Sequence, residues 1–300
     1  PVSAYRSQGR GGKGMNTARL IEDDFIDQIF VASTHDHVLF ITTVGKAYWL
    51  KVHEIPEASR TAKGSHIKAL LPVEAEEEIS AIVRIKEFTN TDYLFMATAR
   101  GVVKRVVTDQ FINAKTRGII AIKLDDGDKL VSALLCEEND GILLVSRSGR
   151  ALSIDSNQVR AMGRASRGVR GLRLAGDDEL IGVCRGVEGE KILVLSEYGY
   201  GKRVEFSEFV VHGRGTGGQR IYTITEKTGE LVGCLNVAEG DEIMCITSQG
   251  KSIKLTVDEI STFGRTASGV RILNIDRPDF VVGVDRIVKE DDEDDGTSEA

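Results

Sequence analysis

The chain has 300 residues, 41% of them apolar and 28% charged, with a formal net charge of −7. This allows one large domain or two small ones around a packed core. It excludes a membrane helix, because no apolar run approaches the roughly eighteen residues needed. No charged-then-apolar leader opens the chain, which starts at Pro1 without Met and reads as a fragment of a longer protein.

The four cysteines, Cys136, Cys184, Cys234 and Cys245, form no CxxC pair, and no His or Cys stands at zinc-finger spacing. Most lie in or beside apolar runs, where Cys is a small hydrophobe, and the reading is a reduced, cytoplasmic protein. Seven acidic residues, Glu290 to Asp295 and Glu299, crowd the last eleven positions, leaving 39 basic against 39 acidic residues in the body 1–289. A neutral body can still carry a basic face.

Taken in order, the chain repeats itself six times, over about 1–36, 37–90, 91–139, 140–189, 190–240 and 241–289. The first repeat has the loop Arg10–Gly14, then the acidic turn Asp23-Asp24 and an apolar run to Ile29. The second opens on Val38–Ile41 and a turn at Gly45, followed by Arg60–Gly64 and then Glu76–Glu78 leading to Val83. The third has Tyr93–Ala97 and Gly101, the variant loop Ala114–Gly118 with Lys115 and Arg117, and Asp125–Asp128 leading to Leu135. The fourth has Ile142–Val145 and Gly149, Arg164–Gly168, and Asp177–Glu179 leading to Val183. The fifth has Ile192–Leu195 and Gly199, Arg214–Gly218, and Glu230 leading to Leu235. The sixth has Ile243–Ile246 and Gly250, Arg265–Gly269, and Asp279 leading to Val284. The closing glycines are 50, 54, 50, 50 and 51 residues apart.

Each opening run is apolar on both sides of the pleat, as in a strand buried on both faces. The glycine after it suits a hairpin turn at positive φ. The following strand alternates more, as in Gly101-Val-Val-Lys-Arg-Val-Val107. About four short strands in fifty residues is the size of a propeller blade. The expected fold is all-β, a ring of six blades, because a lone blade cannot bury both faces and closure protects strand edges. The first repeat lacks its opening hairpin, whose strands are expected upstream of Pro1. A five-bladed ring with an N-terminal arm is the alternative.

The six loop windows hold ten basic residues and no acidic one: Arg10, Lys13, Arg60, Lys63, Lys115, Arg117, Arg164, Arg167, Arg214 and Arg265. In a simple antiparallel meander, loops and acidic turns fall at opposite ends of the strands, giving a basic track and a separate acidic one. A curved basic track suits curved duplex DNA, bound through phosphates with counterion release. No helix-turn-helix or zinc motif is present to read bases, so binding is expected to depend little on sequence. The bland role for these cations is pairing with carboxylates of neighbouring blades, and for the glycines it is turn geometry alone.

The first loop, Gln8-Gly9-Arg10-Gly11-Gly12-Lys13-Gly14, lets backbone N–H groups approach phosphates closely. It is not a nucleotide P-loop, because Gly14 stands where Ser or Thr is needed and no buried strand precedes it. The heptad resembles the box Gln-Arg-Arg-Gly-Gly-Lys-Gly of bacterial gyrase A C-terminal domains. It matches at six positions, with Gly9 where the family has Arg. Glu22–Asp27, Val31–His37, Val159–Gly163, Gly168–Gly171 and Gly199–Arg203 carry the same resemblance, which runs to about Lys289. It implies a six-bladed β-pinwheel whose blades exchange strands and whose basic perimeter wraps DNA to direct negative supercoiling. It also implies Gln8 to Gly14 as the element needed for wrapping. The partners implied are double-stranded DNA, the N-terminal part of the same gyrase A polypeptide, which holds the cleaving tyrosine, and the gyrase B protein, which hydrolyses ATP. No catalytic centre, metal or cofactor is expected in this chain, and the implied location is the bacterial cytoplasm, at the nucleoid. Topoisomerase IV's matching domain is the near rival, and a propeller that binds proteins through loop tips is the rival of another class.

Three other features invite chemistry. His35-Asp36-His37 lacks converging ligands and reads as a turn. Asp177-Asp178 recurs as a turn pair. Tyr48 and Trp49 suit either strand packing or stacking on a sugar or base. The tail 290–300 is too charged to fold; it serves solubility or competes with DNA for the basic track.

Overall fold

The structure is a computed structural model, and it describes residues 32–57, 65–74, 77–115 and 117–287. Each apolar run forms the first strand of a hairpin, and its partner follows a tight turn. The pairs are β1 (His37–Thr42) with β2 (Lys46–Lys51), and β4 (Tyr93–Thr98) with β5 (Val102–Val107). They continue as β8 (Gly141–Ser146) with β9 (Arg150–Asp155), β12 (Lys191–Ser196) with β13 (Tyr200–Glu205), and β16 (Glu242–Thr247) with β17 (Ser252–Thr256). The turn glycines, Gly45, Gly101, Gly149, Gly199 and Gly250, have φ between 74° and 80°, the region the turn requires and only Gly enters freely.

A third strand pairs with the other edge of each hairpin's first strand: β3 (Ile79–Ile85), β7 (Leu130–Cys136), β11 (Leu180–Arg185), β15 (Leu231–Val237) and β19 (Val281–Ile287). A bulge recurs at its start, opposite Thr42, Thr98, Ser196 and Thr247. Those hydroxyl residues are fully buried. Thr42, Thr98 and Thr247 accept from the backbone N–H four residues on, replacing ladder bonds that the bulge removes. The third strands follow one another around a central cavity of about 370 Å³ lined by residues of all five. Gly182 and Gly233 let neighbours approach there. A side-chain carbon would meet the Cys234 sulfur 2.7 Å away at the first and run into Val284 at the second.

The fourth strand comes from the next repeat. β6 (Ile119–Ile120) joins β2, β10 (Val169–Arg170) joins β5, β14 (Gln219–Arg220) joins β9, and β18 (Val270–Arg271) joins β13. The sheets are therefore β3-β1-β2-β6, β7-β4-β5-β10, β11-β8-β9-β14, β15-β12-β13-β18 and the three-stranded β19-β16-β17. The expected six-bladed ring is present as these five sheets among the described residues, and most of repeat 1–36 lies outside them. No helix among the described residues is long and apolar enough to cross a membrane.

The core lies between consecutive sheets. Leu94 and Met96 face back toward Leu39 and Ile41, whereas Phe95 and Ala97, between and after them, face forward toward Leu144 and Leu152. Leu143 and Val145 then meet Val194, and Leu193 and Leu195 meet Ile243 and Cys245. The two-sided apolar runs thus serve two cores at once, with a period of two.

Candidate nucleic-acid interface

Between its second and third strands each of the last four repeats leaves its own sheet and crosses to the one before. A short 3-10 turn, Thr108–Phe111, Ser156–Gln158 or Phe206–Glu208, ends the hairpin. The excursion is pinned to the preceding blade at two points. Ala161 lies parallel to Arg105, Val211 to Ser153 and Thr262 to Arg203. Further along, Val169 pairs with Val103, Gln219 with Ala151 and Val270 with Gly201. Between the pins the Arg-x-x-x-Gly loop bows outward. The 3-10 turn beneath it supplies another tie, because Gln110, Gln158 and Glu208 accept from the backbone N–H of Arg164, Arg214 and Arg265.

The closing glycine is needed for more than its turn. A Cβ would fall on the Val103 carbonyl oxygen at Gly168, on that of Ala151 at Gly218 and on that of Gly201 at Gly269. Gly118, Gly218 and Gly269 also have φ of 61°, 65° and 70°. The loop can sit this close to its neighbour only without a side chain.

Of the predicted DNA-binding residues, Gln8, Gly9, Arg10, Gly11, Gly12, Lys13, Gly14, Arg60 and Lys63 lie outside the described residues. The other six fall on these loops. Arg117 and Arg214 are exposed and Arg164 and Arg265 half-buried, and none of the four has an ion pair among the described residues. Arg214 donates to the carbonyls of Gln158 (3.2 Å) and Arg170 (3.3 Å), and Arg265 to that of Arg220 (3.2 Å). Carboxylate pairing holds for two. Lys115 meets Glu54 at 2.7 Å over the Trp49 ring, and Arg167 meets Asp125 at 2.7 Å. The hydrogen bond from Lys115 holds the Glu54 carboxyl below its usual range.

The loops are joined to one another. The Lys123 N–H donates to Ser166 (3.1 Å), that of Arg173 to Thr216 (2.9 Å) and the Thr223 hydroxyl to Thr266 (2.6 Å). Each contact runs from one excursion to the loop of the next, so the cations lie along one continuous outer rim. The rim also carries residues the loop pattern did not single out. Arg170, Arg220 and Arg271 are exposed on the outermost strands, and exposed Lys123 and Arg173 follow two of them. The signal was in the sequence as Gly-x-Arg, at Gly168, Gly218 and Gly269.

The meander expectation is corrected here. Acidic turns do cap hairpin tips: Arg100 donates to the Asp126 carbonyl, Ser148 to Asp178, and Arg147 sits between Glu179 and Glu230. Because the loop crosses to another blade, however, Asp125 touches Arg167, and the acidic and basic tracks meet instead of lying at opposite ends.

The remaining candidates are structural. Asp36 pairs with Arg84 at 2.7 Å, and His37 packs edge-on against Trp49. Trp49 donates to the Ile112 carbonyl (3.1 Å) and Tyr48 to Glu77 (3.3 Å), both rings buried. All four cysteines are buried and free, and burial pushes the Cys136 and Cys245 thiols up to about 12. Among the described residues no group of three or more His, Cys, Asp or Glu is placed to hold a metal.

The chain matches the family model described as DNA gyrase C-terminal domain, beta-propeller, over residues 1–33, 36–86, 92–137, 142–183, 190–238 and 241–287. It is 64% identical over 289 residues to the DNA gyrase A protein of Treponema pallidum (strain Nichols), covering 96% of this chain and 36% of that protein. It is 40% identical over 295 residues to the DNA gyrase A protein of Escherichia coli (strain K12), covering 98% and 34%. The chain therefore spans about a third of the length of these curated relatives. A solved gyrase A C-terminal domain superposes with a TM-score of 0.84 at 31% identity, covering 95% of this chain and 94% of that one. The C-terminal domain of a DNA topoisomerase IV shares the fold, with a TM-score of 0.74 at 24% identity, over 85% and 80% of the two chains.

Proposed function

The chain belongs to the DNA gyrase C-terminal domain, beta-propeller family, and from that membership we propose that it binds duplex DNA along the cationic rim and bends it around the ring. The observation that carries this reading is the continuity of the rim, in which the loops of Arg164, Arg214 and Arg265 are each hydrogen-bonded to the excursion before. Arg117, Lys123, Arg164, Arg170, Arg173, Arg214, Arg220, Arg265 and Arg271 have no ion pair among the described residues. If all of these engage phosphates, the affinity falls with salt at a log–log slope of about −8. Bending ~20–30 base pairs costs on the order of 1–6 kcal/mol, which contacts distributed over several blades offset. The rim offers guanidinium and ammonium groups, which pair with phosphates, so the contacts are led by the backbone of the DNA.

Within a whole gyrase, the bent segment would be handed to the enzyme core with a fixed crossing, so that strand passage removes positive and adds negative turns. Cleavage would belong to the N-terminal part of the gyrase A protein and ATP hydrolysis to the gyrase B protein, leaving this chain the binding role. The test is ligation of nicked circular plasmid with the chain bound, followed by separation of topoisomers. Wrapping shifts the linking-number distribution in proportion to bound protein. An unshifted distribution at saturating binding refutes wrapping.

A further inference from the structure

The strand that lies under each loop has the sequence Gly101-Val-Val-Lys104-Arg105 in one blade and Gly199-Tyr-Gly-Lys202-Arg203 two blades on. Each lysine stands between the two pins of the excursion above it. Lys104 is flanked by Arg105 and Val103, which pair with Ala161 and Val169, and Lys202 by Arg203 and Gly201, which pair with Thr262 and Val270. Both lysines are fully buried, at 0% exposure, which is rare for this residue. Neither has a salt bridge among the described residues. Their ammonium groups point outward into the loops and donate to backbone carbonyls. Lys104 donates to Ala121 (2.8 Å), to Arg164 and to Ser166 (2.9 Å), and Lys202 to Gly264 (2.7 Å) and Arg265 (2.8 Å).

We propose that Lys104 and Lys202 are positioning residues for the DNA-facing loops, each ammonium gathering the loop carbonyls of the next repeat and so fixing the directions in which Arg164, Arg167 and Arg265 leave the surface. This rests on the DNA-binding reading and deepens it: two cations inside the ring order the cations outside. An ammonium has three donors and no acceptor, and Lys104 meets three carbonyls, so its donors are saturated by groups of two successive excursions. The surrounding charges are few. Arg164 lies near Lys104, Glu208 lies near Lys202, and the Tyr222 ring sits 5.8 Å from the Lys202 nitrogen. Burial pushes both ammonium groups down to about 8, a cost that a side chain serving only to fill space would not carry.

The blade between them provides an internal control. There the equivalent residue is Leu152, and the loop above it is tied from outside, by Arg150 donating to Gly217 (3.1 Å) and Gly218 (2.6 Å). A leucine is thus a residue this position accepts, which makes Lys104→Leu and Lys202→Leu the variants of choice. In the full chain, limited trypsin digestion read by mass spectrometry should show Lys104→Leu cut faster after Arg164 and Arg167. The expected gain is about fivefold or more, the effect on local opening of losing one net hydrogen bond. Cleavage after Arg214, over Leu152, should not change. Lys202→Leu should do the same at Arg265. The log–log salt slope for duplex DNA should fall by about one to two units, although the removed amine is buried and touches no phosphate. Unchanged cleavage at Arg164, Arg167 and Arg265 overturns the proposal. So does a loosened loop with an unchanged salt slope, an outcome that leaves the DNA-binding reading intact. If the unmodified chain binds no DNA, that reading fails by itself, and the cleavage pattern still decides whether the lysines hold the loops.

Discussion

Replacing Gly218 by Ala tests whether the rim depends on close packing of each loop against its neighbour. Gly218 has φ of 65°, and a Cβ there would fall on the Ala151 carbonyl oxygen. The next two residues, Gln219 and Arg220, pair with Ala151 and Arg150, so relief of the clash must lift β14 from β9. Positive φ alone costs a non-glycine residue about 1–2 kcal/mol. Overpacking against backbone adds about 1–3 kcal/mol. Gly176 separates the two contributions, because it has φ of 59° and nothing within 4 Å of a built Cβ. Gly176→Ala therefore carries only the backbone cost. Urea titrations followed by far-ultraviolet circular dichroism should place the midpoint of Gly218→Ala about 0.3–1 M below that of Gly176→Ala, given a slope of about 3 kcal/mol/M. DNA affinity should fall for Gly218→Ala alone, because only there do Arg214 and Arg220 lose their footing. Equal midpoints for the two variants would refute the argument that contact, and not merely turn geometry, sets this glycine.

Three further outcomes follow from the rim and from the lysines beneath it. The double variant Glu54→Gln, Asp125→Asn should tighten DNA binding by a factor of about two to five in a gel-shift titration, since it frees Lys115 and Arg167 from exposed pairs worth at most about 1 kcal/mol each. Arg220→Ala should weaken binding to all duplex sequences alike and lower the salt slope by about one unit, whereas a sequence-dependent loss would mark it as a base reader. The pH response of stability should carry the signature of the buried ammoniums. Their folded pKa, about 8, lies below the ordinary 10.5, so between those values the unfolded chain binds more protons and stability rises with pH. The stability of the unmodified chain relative to Lys202→Leu, from urea titrations at pH 7.5 to 10.5, should accordingly rise across that window, and a flat difference would show that the amine is not desolvated.

What the sequence revealed was what is local. Runs such as Val38–Ile41 and Ile192–Leu195 are apolar on both sides because each strand faces two cores, and a period of two is written in adjacent residues. Gly45 and Gly199 were legible as turn formers because the turn requires positive φ whatever surrounds it. The charge of the loops was legible by counting. Their surroundings were not, since Lys115 and Arg167 meet Glu54 and Asp125 only through folding, across sequence separations that no pattern marks. The strand exchange could not be read as strands, because β10 and β14 are only two residues long and pair far from their own repeat. That same crossing defeated the meander expectation and hid Arg170 and Arg220, which read as the ends of loops and stand on the outermost strands. Lys104 sat in plain view in an alternating strand, but its burial depends on the loop that folds over it. Arg10, Lys13, Arg60 and Lys63 fall outside the described residues.

The lending of a fourth strand by each of the last four repeats to the sheet before it ties neighbours as links in a chain are tied. A substitution in a lent strand such as Val169–Arg170 is therefore felt in a sheet whose other strands come from another repeat, so damage spreads to a unit whose own sequence is untouched. In an array of independent modules the same substitution would stay within one unit. Here the interlock makes neighbouring sheets answer for one another's residues.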